Sequence, residues 1–116
     1  MAAGKLYIGG KWRPAASHAT FPSLNPATGK PLGQAQKGTG ADLEQAVAAA
    51  EKALEGWKNT PAPARGNILL KAAQLLRKNK ERLARLVTME MGKVLPEARG
   101  DVQEAIDMAE YMAGEG

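Results

Sequence analysis

The feature that most constrains this chain is the helical periodicity of its second half. From Thr60 to Gly116 it reads TPAPARGNILLKAAQLLRKNKERLARLVTMEMGKVLPEARGDVQEAIDMAEYMAGEG, a helical pattern interrupted only near Asn79 and Gly92. Apolar residues recurring every three or four positions specify amphipathic helices, each with one face that has to be covered. Pro61 suits the first turn of a helix whose stripe is Ile68, Leu69, Ala72, Leu75 and Leu76. Asn79 is expected to break that helix and to N-cap the next. The next carries Leu83, Leu86, Val87 and Met91 and stops at Gly92. Pro96 opens the last helix, with Ala98, Val102, Ala105, Ile106, Ala109, Met112 and Ala113 as its stripe and Gly114 just past its end. Gly100 lies inside this helix, where glycine costs about 1 kcal/mol relative to alanine. It reads either as a place where a backbone or ligand approaches closely or as a tolerated defect. Met89, Met91, Met108 and Met112 fall at helical spacings and read as apolar fillers.

The first third is different. Residues 5–14, KLYIGGKWRP, predict a β-hairpin, with Gly9-Gly10 supplying the positive φ values of a two-residue turn and Pro14 ending the return strand. A polar connector follows, then Phe21 and Leu24 as expected anchors. Asn25-Pro26-Ala27-Thr28-Gly29 predicts a turn, and Leu32 to Lys37 a second extended segment. Thr39 with Asp42 three residues later predicts a capped helix start. Leu43, Ala46, Val47, Ala50, Leu54 and Trp57 form its stripe, and Asn59-Thr60-Pro61 its end. The fold class that results is an α-rich α+β chain. Residues 1–38 are its β-rich opening of hairpin and extended segments, and residues 39–116 supply three to four packed helices.

The amounts of each residue type limit what this architecture can do. At 116 residues the chain is one domain at most, and a compact chain of this size buries roughly 65% of its unfolded surface. Its core is expected to be largely alanine, which buries little area per side chain. With no cysteine there is no disulfide, no thiolate metal site and no cysteine nucleophile. His18, the single histidine, stands in the polar run ASHAT and reads as solvated. No apolar run approaches the ~20 residues of a membrane span, and MAAGKLYIGG lacks the pattern of a secretory signal. A cytoplasmic location is the expectation.

The net charge of +4 raises a nucleic-acid partner. The densest basic group, Arg77, Lys78, Lys80, Arg82 and Arg85, is interrupted by Glu81 and has no aromatic interleaving, so no nucleic-acid partner is expected. Glu97, Asp101, Glu104, Asp107 and Glu110 all sit on the last helix. Asp101 and Glu104, and more loosely Glu97, share a face by helical spacing. With no histidine nearby they read as a polar helix face rather than an acid–base pair. No G-x-G-x-x-G or G-x-x-x-x-G-K-[ST] loop is present. Residue by residue, the chain reads as a helical scaffold or as a small helical interaction or dimerisation module.

Taken in order and spacing, YIGGKW, FPSLNPATGKPLGQA, DLEQAVAAAEKALEGWKNTPAPARGNILLKAAQLL and MEMGKVLPEARGDVQEAIDMAEYMAGEG resemble the N-terminal region of the aldehyde dehydrogenase superfamily. Within it they look most like bacterial semialdehyde-type members. The resemblance covers nearly the whole chain. It implies the first, mainly helical part of a nucleotide-binding domain. The enzyme it belongs to oxidises an aldehyde to an acid with NAD or NADP, through a thiohemiacetal on a cysteine, and works as a dimer or tetramer. The family's catalytic cysteine, general base, oxyanion asparagine and cofactor loop match no residue here. The resemblance therefore implies a catalytically silent N-terminal segment, with neither catalytic nor cofactor-binding residues of its own, that partners the remainder of the fold or sister subunits. Two roles carry over by position. A monovalent cation is implied at the backbone carbonyl of Leu24 and at Glu90, with a third oxygen from elsewhere. Gly100, Glu104 and Met108 are implied to line a substrate tunnel.

Overall fold

The structure, a computed structural model, describes residues 4–115; Gly116, the last residue of the expected helical part, lies outside the described residues. The chain divides into two compact units, up to Asn59 and from Thr60 onward.

In the first unit, β1 (Leu6–Ile8) and β2 (Lys11–Arg13) form the expected antiparallel hairpin. Gly9 and Gly10 take φ of +59° and +80°, the left-handed pair that a two-residue turn requires. Tyr7 lies opposite Trp12 with ring centroids 4.9 Å apart, and both rings are exposed. A second hairpin joins β3 (Thr20–Leu24) to β4 (Pro31–Gln36). The sequence pattern predicts β4 but no strand over 20–24. β3 exists because its backbone pairs with β4, and Pro22 is tolerated because a two-stranded sheet has only edges. Phe21 and Leu24, expected as anchors, are about half exposed. The turn between the strands forms as expected. The Asn25 carbonyl accepts from the backbone N–H of Thr28 and Gly29, and its side-chain Oδ1 accepts from Ala27 N at 2.9 Å.

Helix α1 (Gly40–Lys58) starts on a complete capping box between Thr39 and Asp42. The Asp42 carboxylate does more than cap. It accepts from Thr39 N at 2.9 Å and from Thr39 Oγ1 at 2.8 Å, and it also accepts from Ala16 N at 3.0 Å, 26 residues away. It is the one buried charged side chain among the described residues. The hydrogen bonds from Thr39, backbone first, hold its carboxyl below the ordinary 3.8, with the Ala16 N–H adding to them. The turn it grips carries His18, exposed and in the left-handed region at φ 56°. The apolar stripe of α1 stays exposed, with Leu43, Val47, Leu54 and Trp57 between 49% and 65% accessible.

The second unit contains α2 (Ala62–Lys78), α3 (Lys80–Met91) and α4 (Leu95–Glu115). Its core is Ala73, Ala84, Ala98, Val102 and Ile106, bordered by Leu76, Leu83, Val87, Leu95 and Ala109. The expectation of an alanine core holds, but the inward face of α2 is not the predicted one. Gly66 and Ala73 are buried and Leu76 borders the core, whereas Ile68 and Leu75 are 51% and 63% exposed. Gly66 explains why. A Cβ built there would lie 2.4 Å from the Ala113 carbonyl oxygen, so α2 and α4 approach closely only because that side chain is missing. Gly100 is the opposite case. A Cβ on it would meet nothing within 4 Å, so no other element among the described residues packs against it there.

Two expected helix ends also differ. Asn79 does not cap α3 with its side chain. Its Nδ2 donates to the Leu75 carbonyl at 2.8 Å and its N–H reaches Leu75 and Leu76, so it closes α2, while it also holds the N-cap position of α3 through its carbonyl, which accepts from Leu83 N at 3.0 Å. Gly92 ends α3 in the left-handed conformation as expected, at φ 76°. Gly114 lies inside α4, which runs on through Glu115.

Candidate functional site

α4 is the element on which the candidate site is built. Ala98, Val102 and Ile106 occupy one face at helical spacing and are buried against the unit's core. The opposite face is left to line an open depression of about 440 Å³, made by Gly100, Gln103, Glu104, Asp107, Met108 and Tyr111. All three residues assigned to a tunnel wall from the sequence, Gly100, Glu104 and Met108, are thus brought together. The bare Cα of Gly100 opens one end, and Met108 and Tyr111 present apolar surface at the other. Gln103, Asp107 and Tyr111 are the additions the sequence reading did not make. Their signal was present, since each lies three or four residues from Gly100, Glu104 or Met108 on the same helix.

The polar members of this face are held in place. Lys80 Nζ donates to Gln103 Oε1 at 2.7 Å, and Gln103 Nε2 donates to Asp107 Oδ1 at 2.7 Å. Asp101 faces a second groove of about 280 Å³ with Leu76, Leu83, Leu86, Val87, Glu90, Val102 and Ala105. Asp101 and Glu104, three residues apart on α4, both act on the Lys93 ammonium, in keeping with the shared face that the spacing implies. Asp101 is engaged through both oxygens, at 2.7 Å each, by Lys93 Nζ. The hydrogen bond that Lys93 donates to Asp101 raises the Lys93 pKa above its ordinary value, with Glu97 and Glu104 adding weaker attraction. Lys93 belongs to the E-x-G-K corner, so this ion pair ties the end of α3 to α4.

Within the basic junction, Arg77 and Arg85 form ion pairs. Arg77 reaches Glu110 at 2.7 Å, from α2 to α4. Arg99 binds Glu81 through two nitrogens at 2.9 Å, from α4 to α3, and Arg85 joins the same carboxylate at 3.2 Å. The Arg99 hydrogen bond holds Glu81 below its ordinary range and raises Arg99 in turn. Of the junction's own cations, Arg77 crosses to α4 and Arg85 pairs within α3.

Leu24 and Glu90, the residues implied for a monovalent cation, are each described in their own unit. Leu24 ends β3 next to an irregularity in register between Ser23 and Leu24. Glu90 sits in the last turn of α3 and lines the second groove. No cluster of three or more His, Cys, Asp or Glu able to hold a metal is present among the described residues. No helix among the described residues is long and apolar enough to cross a membrane.

Comparison with known proteins adds a frame to this geometry. A family model described as the aldehyde dehydrogenase family matches residues 12–116. A malonate-semialdehyde dehydrogenase of Bacillus pumilus (strain SAFR-032) is 46% identical over 110 residues, 95% of this chain and 23% of that protein. A solved succinate-semialdehyde dehydrogenase from Burkholderia pseudomallei is 40% identical, with a TM-score of 0.93, over 96% of this chain and 23% of its own. A betaine aldehyde dehydrogenase from Staphylococcus aureus, solved in complex with NAD+, superposes with a TM-score of 0.94 at 31% identity, over 98% of this chain and 24% of its own. The chain therefore spans about a quarter of the length of the relatives it matches. The semialdehyde-type resemblance agrees with the names of the first two.

Proposed function

The chain belongs to the aldehyde dehydrogenase family, and from that premise we propose that it is the N-terminal, non-catalytic scaffold of an NAD(P)-dependent aldehyde dehydrogenase. In this reading residues 1–38 and 39–116 are the β-rich opening and the helical part of the nucleotide-binding domain. The α4 face bearing Gly100, Glu104 and Met108 forms one wall of the passage by which an aldehyde reaches the reacting cysteine. The Leu24 carbonyl and the Glu90 carboxylate contribute oxygens to a monovalent cation site. The partners are the rest of the fold and sister subunits, and the location is the cytoplasm.

The residues present do not fit the cofactor or the chemistry. The chain has no cysteine to form a thiohemiacetal and no glycine-rich phosphate loop. The segment's contribution is to shape and place a wall. The observation that carries the reading is the gathering of Gly100, Glu104 and Met108 on one open groove of a helix whose other face is anchored in a core. Glycine at position 100 leaves room there that a side chain would fill.

The test is complementation. This chain is co-expressed with the remaining three-quarters of the Bacillus pumilus relative, and NAD-dependent oxidation of malonate semialdehyde is measured. The expected result is no turnover from this chain alone and turnover above background from the pair, with Gly100→Leu raising KM more than it lowers kcat. Turnover by the chain alone would sink the claim that it is silent. A normal KM in the Gly100→Leu pair would remove the tunnel wall.

A further inference from the structure

The groove on α4 carries a charge pattern that its role as a wall does not use. Gly100, Glu104 and Met108 follow one another at intervals of four residues, so Glu104 stands mid-groove between a bare Cα and an apolar side chain. Its side chain is exposed, and among the described residues its carboxylate makes no hydrogen bond or ion pair. The cation that feels its field, Lys93, is already held by both oxygens of Asp101 at 2.7 Å. Asp107, the other acid of the groove, is compensated. Lys80 Nζ donates to Gln103 Oε1 at 2.7 Å, which turns Gln103 Nε2 onto Asp107 Oδ1 at 2.7 Å. Arg77, which also reaches α4, is taken by Glu110. Among the described residues no Lys, Arg or His lines the groove. It therefore presents one uncompensated negative charge and no positive one.

We infer that Glu104 is a specificity-determining residue, setting the passage against aldehydes that carry a second carboxylate and in favour of aldehydes whose far end is cationic. The inference rests on the reading of this face as a passage wall. A carboxylate on a passing aldehyde meets a like charge where water is being excluded, and the repulsion grows as the effective dielectric falls. It finds no guanidinium or ammonium on this wall to bind it. An ammonium gains an ion pair with Glu104 instead. The Tyr111 ring and the Met108 thioether, on the same groove, give its alkyl stem apolar surface to lie on. An uncharged aldehyde gains the apolar contact alone. The order that follows is cationic, then neutral, then anionic. Gly100 and Glu104 thus govern different properties of the substrate: the first leaves room, the second selects charge.

The test uses the co-expressed pair described above and three aldehydes of similar size: malonate semialdehyde, butanal and 3-aminopropanal. kcat/KM is measured for each, and butanal serves as the internal reference, so a variant that assembles less well lowers all three together. Glu104→Gln, which keeps the shape and removes the charge, is expected to raise the malonate semialdehyde to butanal ratio on the order of tenfold and to lower the 3-aminopropanal to butanal ratio by a similar factor. Glu104→Lys moves both ratios further in the same directions. Added salt shrinks these shifts, which a change of packing alone would not do. Glu44→Gln, on α1, removes a carboxylate that does not line the groove and leaves both ratios where they were. Turnover with ratios that neither Glu104 exchange moves overturns the inference and leaves the passage wall standing. A pair that turns over none of the three aldehydes overturns the passage reading, and the inference falls with it.

Discussion

The two units of this molecule are held together by different forces. The second is an alanine-lined helical packing in which Ala73, Ala84, Ala98 and Ile106 are fully buried and cross-helix ion pairs sit outside the core. The first has almost no apolar interior. Its buried residues are Ala15 and Asp42, and its turns, strands and helix start are joined by hydrogen bonds to the Asp42 carboxylate, the Gln36 side chain and the backbone. The contrast teaches that one short chain can use close packing in one half and a polar clasp in the other. The halves should then respond to different insults: the helical one to changes of volume, the mixed one to changes of charge. Trp12 and Trp57 both lie in the first unit, so tryptophan fluorescence reports on it. Far-UV circular dichroism weighs all four helices.

The largest expected effect is at Ile106. Ile106→Ala removes the largest fully buried side chain and should cost about 4 kcal/mol, because alanine neighbours have little side chain with which to fill the space. Denaturant unfolding should show the circular dichroism transition moving to lower denaturant while the tryptophan transition stays. Coincident movement of both would break the comparison by making the units one cooperative block.

Next is Gly66→Ala, which places a methyl against the Ala113 carbonyl. A loss of about 2 kcal/mol is expected, as for overpacking elsewhere. Gly100→Ala, with nothing within reach, should instead stabilise α4 by up to about 1 kcal/mol through helix propensity. A loss at position 100 together with a gain at 66 would invert the assignment of which glycine is a packing residue.

The smallest effect is in acid, and it falls on the first unit. The folded pKa of Asp42 is depressed, so its stabilising contribution is fully present above the unfolded value near 3.8. It is lost as pH falls through the lower folded value. The tryptophan-reported transition should weaken in that window, and Asp42→Asn should flatten the pH dependence while lowering stability at neutral pH. Titration of the variant and the parent from pH 6 down to about 2 decides it. An unchanged slope in Asp42→Asn would remove the carboxylate clasp.

What was legible in the sequence was short-range. Gly9-Gly10, the Asn25 turn, the Thr39–Asp42 box and the stop at Gly92 are each complete within about five residues, and each formed as read. The candidate groove was legible in part, because Gly100, Glu104 and Met108 share a face by helical geometry alone. What the local pattern did not contain was the choice between competing partners. Asn79 can offer its side chain forward to α3 or back to α2; its amide nitrogen went back, to the Leu75 carbonyl, while its Oδ1 accepts from Arg82 Nε at 3.4 Å and caps no backbone N–H of α3. The α2 stripe names its apolar residues without saying which of them face inward.

By itself, then, the sequence determined the turns, the helix starts, most of the helix ends and the alanine character of the core, since these follow from the conformational limits of single residues and their nearest neighbours. Only the tertiary structure decided that α2 packs on Gly66 and Ala73 while Leu75 faces out, and that the Asp42 cap also grips Ala16. It also decided that residues 20–24 are a strand. Each of those depends on a partner distant in sequence, 47 residues away for Gly66 and Ala113 and 26 for Asp42 and Ala16, and on how closely two backbones can approach.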